Sequence, residues 1–379
     1  MMKRKVLFLI ESLTSGGAEK VLTTLVRHIN KERFDVTVCT ICGGGEYEDE
    51  VRENVKYHAI LTEPQGGNTL QLFMYKIKHN LVHRWLPLSL VYRFFVPKGH
   101  DVEVAYIEGF TTKLLSHSSN TCSKKFAWIH IDLFHNHWTK SVYQDQLEET
   151  NTYNRFDKIL GVSQTVQRAF VKEFLNVHTP VGIIYNPIDS KQIRKMASEG
   201  INDKKHPIRL VTVGRLEHQK GYDRLVQIIH RLVKEGFNLE LWILGVGSQE
   251  KELEQFIQDN HLEKYIKLLG FHANPYKYIV QGNLFVCSSR SEGYSTAVTE
   301  ALILGLPVIT TDCSGMAELL KNGECGIITE NDDEALYQGL KKFLSDSVLL
   351  EHYRQKAVER GKDFTIESLM APIEKLLGE

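Results

Sequence analysis

Asn283-Leu284-Phe285-Val286-Cys287, Ser291-Glu292-Gly293-Tyr294-Ser295-Thr296 and Ala297-Val298-Thr299-Glu300-Ala301 follow one another closely along the chain. They read as an apolar strand, a small polar turn and the opening of an apolar helix. A strand, glycine turn and helix start make a phosphate-cradling geometry, because unpaired backbone N–H groups and the helix dipole converge on one spot. Glu292 is expected on the turn, and Glu300 about one and a half turns into the helix at ~3.6 residues per turn. Two hydrogen-bond-accepting carboxylates beside an anion cradle suit a ligand with both phosphates and hydroxyls, as in a sugar nucleotide. A chance pair of surface glutamates is the plain alternative, so the rest of the chain must decide.

The same rhythm runs outward in both directions. Expected strands in the first half are Val6–Ile10, Asp35–Ile41, Val102–Ile107, Phe126–Ile131, Lys158–Val162 and Val181–Tyr185. In the second half they are Ile208–Val213, Leu239–Leu244, Ile266–Leu269, Leu284–Cys287, Pro307–Thr311 and Gly326–Ile328. Amphipathic helical stretches fill most gaps, such as Tyr222–Lys234 with Leu225, Ile228, Ile229, Leu232 and Val233 on one stripe. Alternating strands and helices argue for an α/β chain of doubly wound parallel sheets. The rhythm breaks after Tyr185-Asn186-Pro187-Ile188, where a polar, linker-like stretch runs from Asp189 to Pro207. A domain boundary is therefore expected near Asn186. Two Rossmann-like domains then face each other, with a cleft between them as the default active site.

Bulk properties exclude several classes. A chain of 379 residues is long enough for two domains, and 42% hydrophobic with 25% charged residues is ordinary for a globular protein. A net charge of −1 supplies no field for nucleic acid. The 6 cysteines lie mostly in apolar runs, where Cys behaves as a small buried hydrophobe. Cys39 and Cys42 form a C-x-x-C, but no second pair or nearby histidine completes a zinc site. This usage fits a reducing cytoplasm. The apolar run in Lys3–Glu11 is too short for a signal peptide's core and suits a buried strand. No stretch approaches the ~20 apolar residues of a spanning helix.

Three further loops carry candidate chemistry. Gly214-Arg215-Leu216-Glu217-His218-Gln219-Lys220-Gly221 closes the first strand of the second half. An arginine can fork onto a diphosphate and a lysine adds a point charge. A solvated loop with two surface cations is the alternative. Gly245-Val246-Gly247-Ser248 ends the next strand, but Glu250 stands where a dinucleotide fingerprint needs its third glycine, which argues against nicotinamide. Ser15-Gly16-Gly17-Ala18-Glu19 follows the first strand and either exposes backbone N–H groups to the cleft or is a plain turn.

Taken together, these residues resemble the retaining glycosyltransferases of family four, with two Rossmann-like domains in the GT-B arrangement. The resemblance rests on Ser15–Glu19, His130, Gly214-Arg215 with Lys220, Gly245 and Gly247, and Glu292 with Glu300. It implies an acceptor-binding domain over residues 1–186, a donor-binding domain over 187–363, and a last helix over about 364–379 that crosses back to the first domain. It implies that Arg215 and Lys220 hold the diphosphate, Glu300 the ribose and Glu292 the donor sugar. The backbone of Gly293, Tyr294, Ser295 and Thr296 would cap the phosphates, with Gly16, Gly17, Gly214, Gly245 and Gly247 approaching the donor. His130 would reach toward the reacting centre, or else be a satisfied buried histidine. Asp132, read as two residues on along the same strand face, would orient His130 or meet the acceptor. The resemblance also implies a hexosyltransferase with no cofactor and no metal, and the chain has no Asp-x-Asp. The expected donor is UDP-linked, carrying a hexose or N-acetylhexosamine. The expected pathway is assembly of capsule, O-antigen or exopolysaccharide.

The acceptor side shows in composition. Residues 64 to 100 contain no Asp or Glu, yet carry Lys76, Lys78, Arg84, Arg93 and Lys98 among Phe73, Tyr75, Trp85, Phe94 and Phe95. Basic, aromatic and aliphatic residues without acids suit an anionic membrane interface. The alternative is a pair of core helices whose wet face is basic. Peripheral membrane contact through about residues 70–98 is expected, with a lipid-linked glycan as acceptor and the inner face of the cell membrane as the place of work. A related soluble enzyme, such as a nucleotide-sugar epimerase or a transferase using a soluble sugar, is the competing expectation.

Overall fold

The computed structural model describes residues 2–14, 16–62, 64, 69–200 and 208–379. It divides into two compact units, Met1–Pro187 with Glu367–Glu379, and Ile188–Ile366. The first unit holds β1 (Arg4–Ile10), β2 (Phe34–Cys42), β3 (Lys56–Leu61), β4 (Val102–Ala105), β5 (Lys124–Ile129), β6 (Lys158–Gly161) and β7 (Val181–Ile183). Their order across a 7-stranded sheet is β3-β2-β1-β4-β5-β6-β7. The second unit holds β8 (Arg209–Val213), β9 (Glu240–Leu244), β10 (Ile266–Gly270), β11 (Leu284–Cys287), β12 (Val308–Thr311) and β13 (Ile327–Thr329). Its 6-stranded sheet runs β10-β9-β8-β11-β12-β13. Every pairing is parallel.

The apolar runs explain the sheets. Val6 to Ile10 are wholly buried, as a strand covered by helices on both faces requires. In the second unit the helix Tyr222–Lys234 turns Leu225, Val226, Ile228, Ile229 and Leu232 into a cluster shared with Leu210, Leu241, Ile243 and Val286 of the sheet. The order of each sheet reverses once, between β1 and β4 and between β8 and β11. Loops beyond the strand ends at such a reversal splay apart, which makes room for a ligand.

Three sequence expectations are corrected. β3 had no place among the expected strands, because its residues alternate between exposed and partly buried before Ile60 and Leu61 and carry little apolar signal. The polar stretch after Ile188 is no plain linker. Asp189 accepts from the Gln192 N–H at 2.9 Å and caps a helix over Ser190–Ala197. The end of that stretch, 201–207, lies outside the described residues, as do Ser15 and 65–68. Finally, β5 stops at Ile129, so His130 and Asp132 do not share a strand face.

The last helix, Ile366–Gly378, is tied within the first unit. Arg4 Nη1 donates to the Gly378 carbonyl at 3.0 Å and the Asn30 N–H to Glu374 Oε1 at 2.9 Å.

Candidate active site

Two loops flank the reversal in the second sheet. One follows β8 and the other follows β11. The β8 loop is fastened to the loop after β9: Gly214 N–H donates to Leu244 O at 3.0 Å and Leu216 N–H to Val246 O at 2.9 Å. Ser248 donates to Glu217 from both its backbone N–H and its hydroxyl, at 3.0 and 2.6 Å, which holds the Glu217 carboxyl below its ordinary range. Contact is so close that a Cβ on Gly245, where φ is +137°, would fall 2.0 Å from Gly214 O. Glycine is required there by both space and backbone angle. A Cβ on Gly247 would likewise fall 2.5 Å from Leu216 O.

The β11 loop is clamped onto the β8 loop by groups that sequence reading missed. Arg224 is buried and donates to Ser288 O at 2.9 and 2.6 Å, Ser289 O at 2.7 Å and Asn331 Oδ1 at 2.8 Å. Arg290 forks onto Asp223 with two bonds of 2.7 Å, and Gln219 Nε2 reaches Ser291 O at 2.9 Å. One signal was available for Arg224. It stands a helical turn before Ile228, on the buried side of its helix, where an arginine must find several acceptors.

Within this frame the structure brings Lys220 and Glu292 together. Lys220 Nζ donates to Glu292 Oε1 at 2.6 Å, and the Ser289 hydroxyl donates to the same oxygen at 2.6 Å. Burial works to lower the Lys220 pKa, but the Glu292 carboxylate outweighs it and the net shift is upward. The Arg215 side chain is exposed and makes no hydrogen bond or ion pair among the described residues, while its carbonyl accepts from the Glu217 N–H at 2.8 Å and its charge adds to the lowering of the Glu217 carboxyl. Ser295 caps the helix Thr296–Ile303, accepting from the Val298 N–H, and Gly315 backs onto Gly293. Glu300, on that helix, is buried and accepts from the Tyr276 hydroxyl at 3.3 Å.

The remaining candidates belong to the first unit. Gly16 precedes the helix Gly17–His28, and its N–H is spent on Thr14 O at 2.8 Å, so it is not presented to a ligand. His130 follows β5, its backbone N–H bonded to Glu108 Oε2 at 3.0 Å. Burial pushes its imidazole down to about 4, against a smaller upward pull from the Tyr106 main chain. Its Nε2 is buried with no hydrogen-bond partner among the described residues. The Asp132 carboxylate accepts from the Phe134 and His135 N–H groups, each at 3.0 Å, and pairs with His135 Nδ1 at 2.8 Å, closing its own turn. Among the described residues no cluster of His, Cys, Asp and Glu is arranged to hold a metal ion.

Comparison with known proteins shows the family and the fold. The family profile described as Glycosyl transferases group 1 matches residues 193–363, and that described as Glycosyltransferase Family 4 matches residues 15–192. A curated relative from Campylobacter jejuni is 30% identical over 361 residues, covering 94% of each chain. It is named N-acetylgalactosamine-N,N'-diacetylbacillosaminyl-diphospho-undecaprenol 4-alpha-N-acetylgalactosaminyltransferase. The capsular polysaccharide biosynthesis glycosyltransferase CapM of Staphylococcus aureus is 30% identical over 155 residues, 39% of this chain and 40% of its own. Among solved structures, HepE of Anabaena in complex with UDP and glucose superposes with a TM-score of 0.77 over 99% of this chain and 100% of its own, at 20% identity.

Proposed function

The chain belongs to the group 1, family 4 glycosyltransferases, and from that premise we propose that it moves a hexose or N-acetylhexosamine from a UDP-linked donor to a lipid-linked glycan, with retention of configuration. The observation that carries this reading is the β8 loop. An exposed Arg215, whose guanidinium makes no hydrogen bond among the described residues, stands on the same short loop as a Lys220 that is already oriented by Glu292. A lysine ammonium has three donors, and one is used on Glu292, which leaves two for phosphate oxygens. Arg215 supplies a planar fork for the same diphosphate. These cations and the N-terminus of Thr296–Ile303, edged by Gly293, Tyr294, Ser295 and Thr296, stabilise the departing nucleoside diphosphate as its charge develops. Glu292 accepts from the donor sugar's hydroxyls, Glu300 binds the ribose, and Gly214, Gly245 and Gly247 let the backbone come close to the donor.

His130 contributes as a neutral base. With its pKa near 4 it is uncharged at pH 7. Because Nε2 has no partner, the bond to the Tyr106 main chain falls to the other ring nitrogen. Nε2 then offers a lone pair to a sugar hydroxyl.

The lipid-linked acceptor is supported by the relative's name and by the helices Thr69–Asn80 and Leu88–Phe95. Leu70, Phe73, Met74, Trp85 and Phe94 are exposed in and between them, beside Lys76, Lys78, Arg84 and Arg93. In this reading these side chains attach the chain peripherally at the inner face of the membrane; among the described residues no helix is long and apolar enough to cross a membrane.

Thermal shift with UDP, GDP, CMP and UDP-sugars tests the donor assignment. A ligand at about a hundred times its Kd stabilises the folded state by ~2.7 kcal/mol. UDP and one UDP-sugar should raise Tm. A flat response to every uridine nucleotide would remove the reading. Glu300→Gln should weaken UDP itself, whereas Glu292→Gln should spare UDP and reduce transfer. Transfer to a water-soluble sugar but to no lipid-linked glycan would bring the soluble-acceptor alternative forward.

A further inference from the structure

Resting on the assignment of Glu292 to the donor sugar, we propose that Ser289, steered by two buried thiols, is a positioning residue that commits one oxygen of Glu292 to the protein and leaves the other for a sugar hydroxyl. The carboxylate is used unevenly. Lys220 Nζ and the Ser289 hydroxyl both donate to Oε1, each at 2.6 Å. Oε2 accepts no hydrogen bond among the described residues. The pair still reaches solvent, with 22% of the Lys220 side chain and 9% of the Glu292 side chain exposed. Ser289 itself is 2% exposed.

The Ser289 side chain is set by its neighbours. Its carbonyl accepts from Arg224 Nη2 at 2.7 Å, the Thr311 hydroxyl at 2.5 Å and the Cys313 thiol at 3.1 Å, which fixes the backbone after β11. Its hydroxyl oxygen accepts from the Cys287 thiol at 3.5 Å. Burial pushes both thiols up, Cys313 to about 12, so each stays protonated and donates. A hydroxyl has one proton to give. With a thiol donating to its oxygen from one side, that proton is left for Glu292 on the other. Two cysteines that read in the sequence as small buried hydrophobes thus orient a hydrogen bond.

The two donors to Oε1 do different work. Lys220 is a point charge on a flexible stem, and with a donor bound it is shared with phosphate oxygens. A serine on a pinned backbone has little freedom left to lose, so it holds Oε1 in place whichever way the lysine leans. Oε2 then offers its lone pairs in a fixed direction and selects a ligand that brings an O–H, as a hexose does. The Ser289 carbonyl anchors the loop and the hydroxyl does not. Ser289→Ala therefore removes the orientation and leaves the anchor.

Calorimetry on the full chain with UDP and with UDP-linked glucose, galactose, N-acetylglucosamine and N-acetylgalactosamine tests the role. Ser289→Ala should weaken the sugar nucleotide that the wild type prefers by about tenfold, the size of one oriented hydrogen bond, and leave UDP unchanged. Glu292→Ala should weaken the same sugar nucleotide at least as much. The double variant should bind it no more weakly than Glu292→Ala, because Ser289 acts only through that carboxylate. A serine that only held the loop would weaken UDP and sugar nucleotide alike. That result, undiminished sugar-nucleotide binding in Ser289→Ala, or a further loss in the double variant overturns the role of Ser289 alone. A wild type that binds no uridine nucleotide, or binds UDP and none of the four sugar nucleotides, removes the donor reading and the role with it.

Discussion

Lys220 and Glu292 act as one unit, because a 2.6 Å bond joins the two groups that sequence reading had assigned to phosphate and to sugar separately. Arg215 is different, its side chain being exposed and without a hydrogen bond or ion pair among the described residues. Arg215→Ala should therefore leave Tm unchanged and cost roughly 10²-fold in turnover. Lys220→Ala should cost at least as much turnover and also lower Tm, since it strips Glu292 of its cation. Equal Tm values for the two variants would mean the pair carries no structural load. His130 gives a pH test. Its folded pKa of about 4 lies below the ordinary value of 6.5, so the unfolded chain binds the proton more readily. The stability it contributes is present above pH 6.5 and is lost as pH falls toward about 4, by roughly 3 kcal/mol at most. His130→Gln should flatten the Tm-versus-pH curve in that window. An unchanged slope would show that His130 titrates normally.

At the scale of elements, the β11 loop owes its place to a clamp rather than to its own sequence. Ser288 and Ser289 present carbonyls to Arg224, and the Thr311 hydroxyl adds a bond to Ser289 O at 2.5 Å. Arg224→Lys keeps the charge but cannot serve all these acceptors at once. It should cost roughly 2–4 kcal/mol, read as a Tm lower by several degrees, because buried carbonyls are left unpaired. UDP affinity should fall with it, although Arg224 is not assigned to the nucleotide. A stable variant with weak UDP binding would instead make Arg224 a direct ligand. Elements of this kind were partly legible. The period of Tyr222–Lys234 marks the helix, whereas β3 escaped because its half-exposed residues carry little apolar signal, and the helix Ser190–Ala197 because its apolar stripe, Ile193 and Ala197, spans only two turns within a polar stretch.

At the scale of the molecule, the net charge is only −1, so any attraction to an anionic surface must come from a local patch. The helices Thr69–Asn80 and Leu88–Phe95 concentrate exposed apolar and cationic side chains in the first unit. Each cation near an anionic bilayer adds ~1 kcal/mol of attraction, weakened by salt. Wild type should float with anionic vesicles at low salt, and a variant with Lys76, Lys78, Arg84 and Arg93 changed to Gln should stay in solution. Equal flotation of both would show that the cations do not carry the attachment.

The sequence by itself determined the two parallel sheets, because a continuous apolar run such as Val6 to Ile10 can be satisfied only between two layers of helices. It also marked the loops where cations, glycines and carboxylates collect, since chemistry of that kind gathers at strand ends. Which of those groups touch was decided only in three dimensions. Lys220 meets Glu292, Arg224 meets Ser288 and Glu108 meets Trp138 because strand order sets distant loops side by side. Local periodicity is blind to that order, since each strand's pattern is the same whichever neighbour it pairs with. The end of β5 at Ile129 is the sharpest case. The strand ends two residues short of its expected close at Ile131, and Asp132 closes its own turn instead of sharing a strand face with His130.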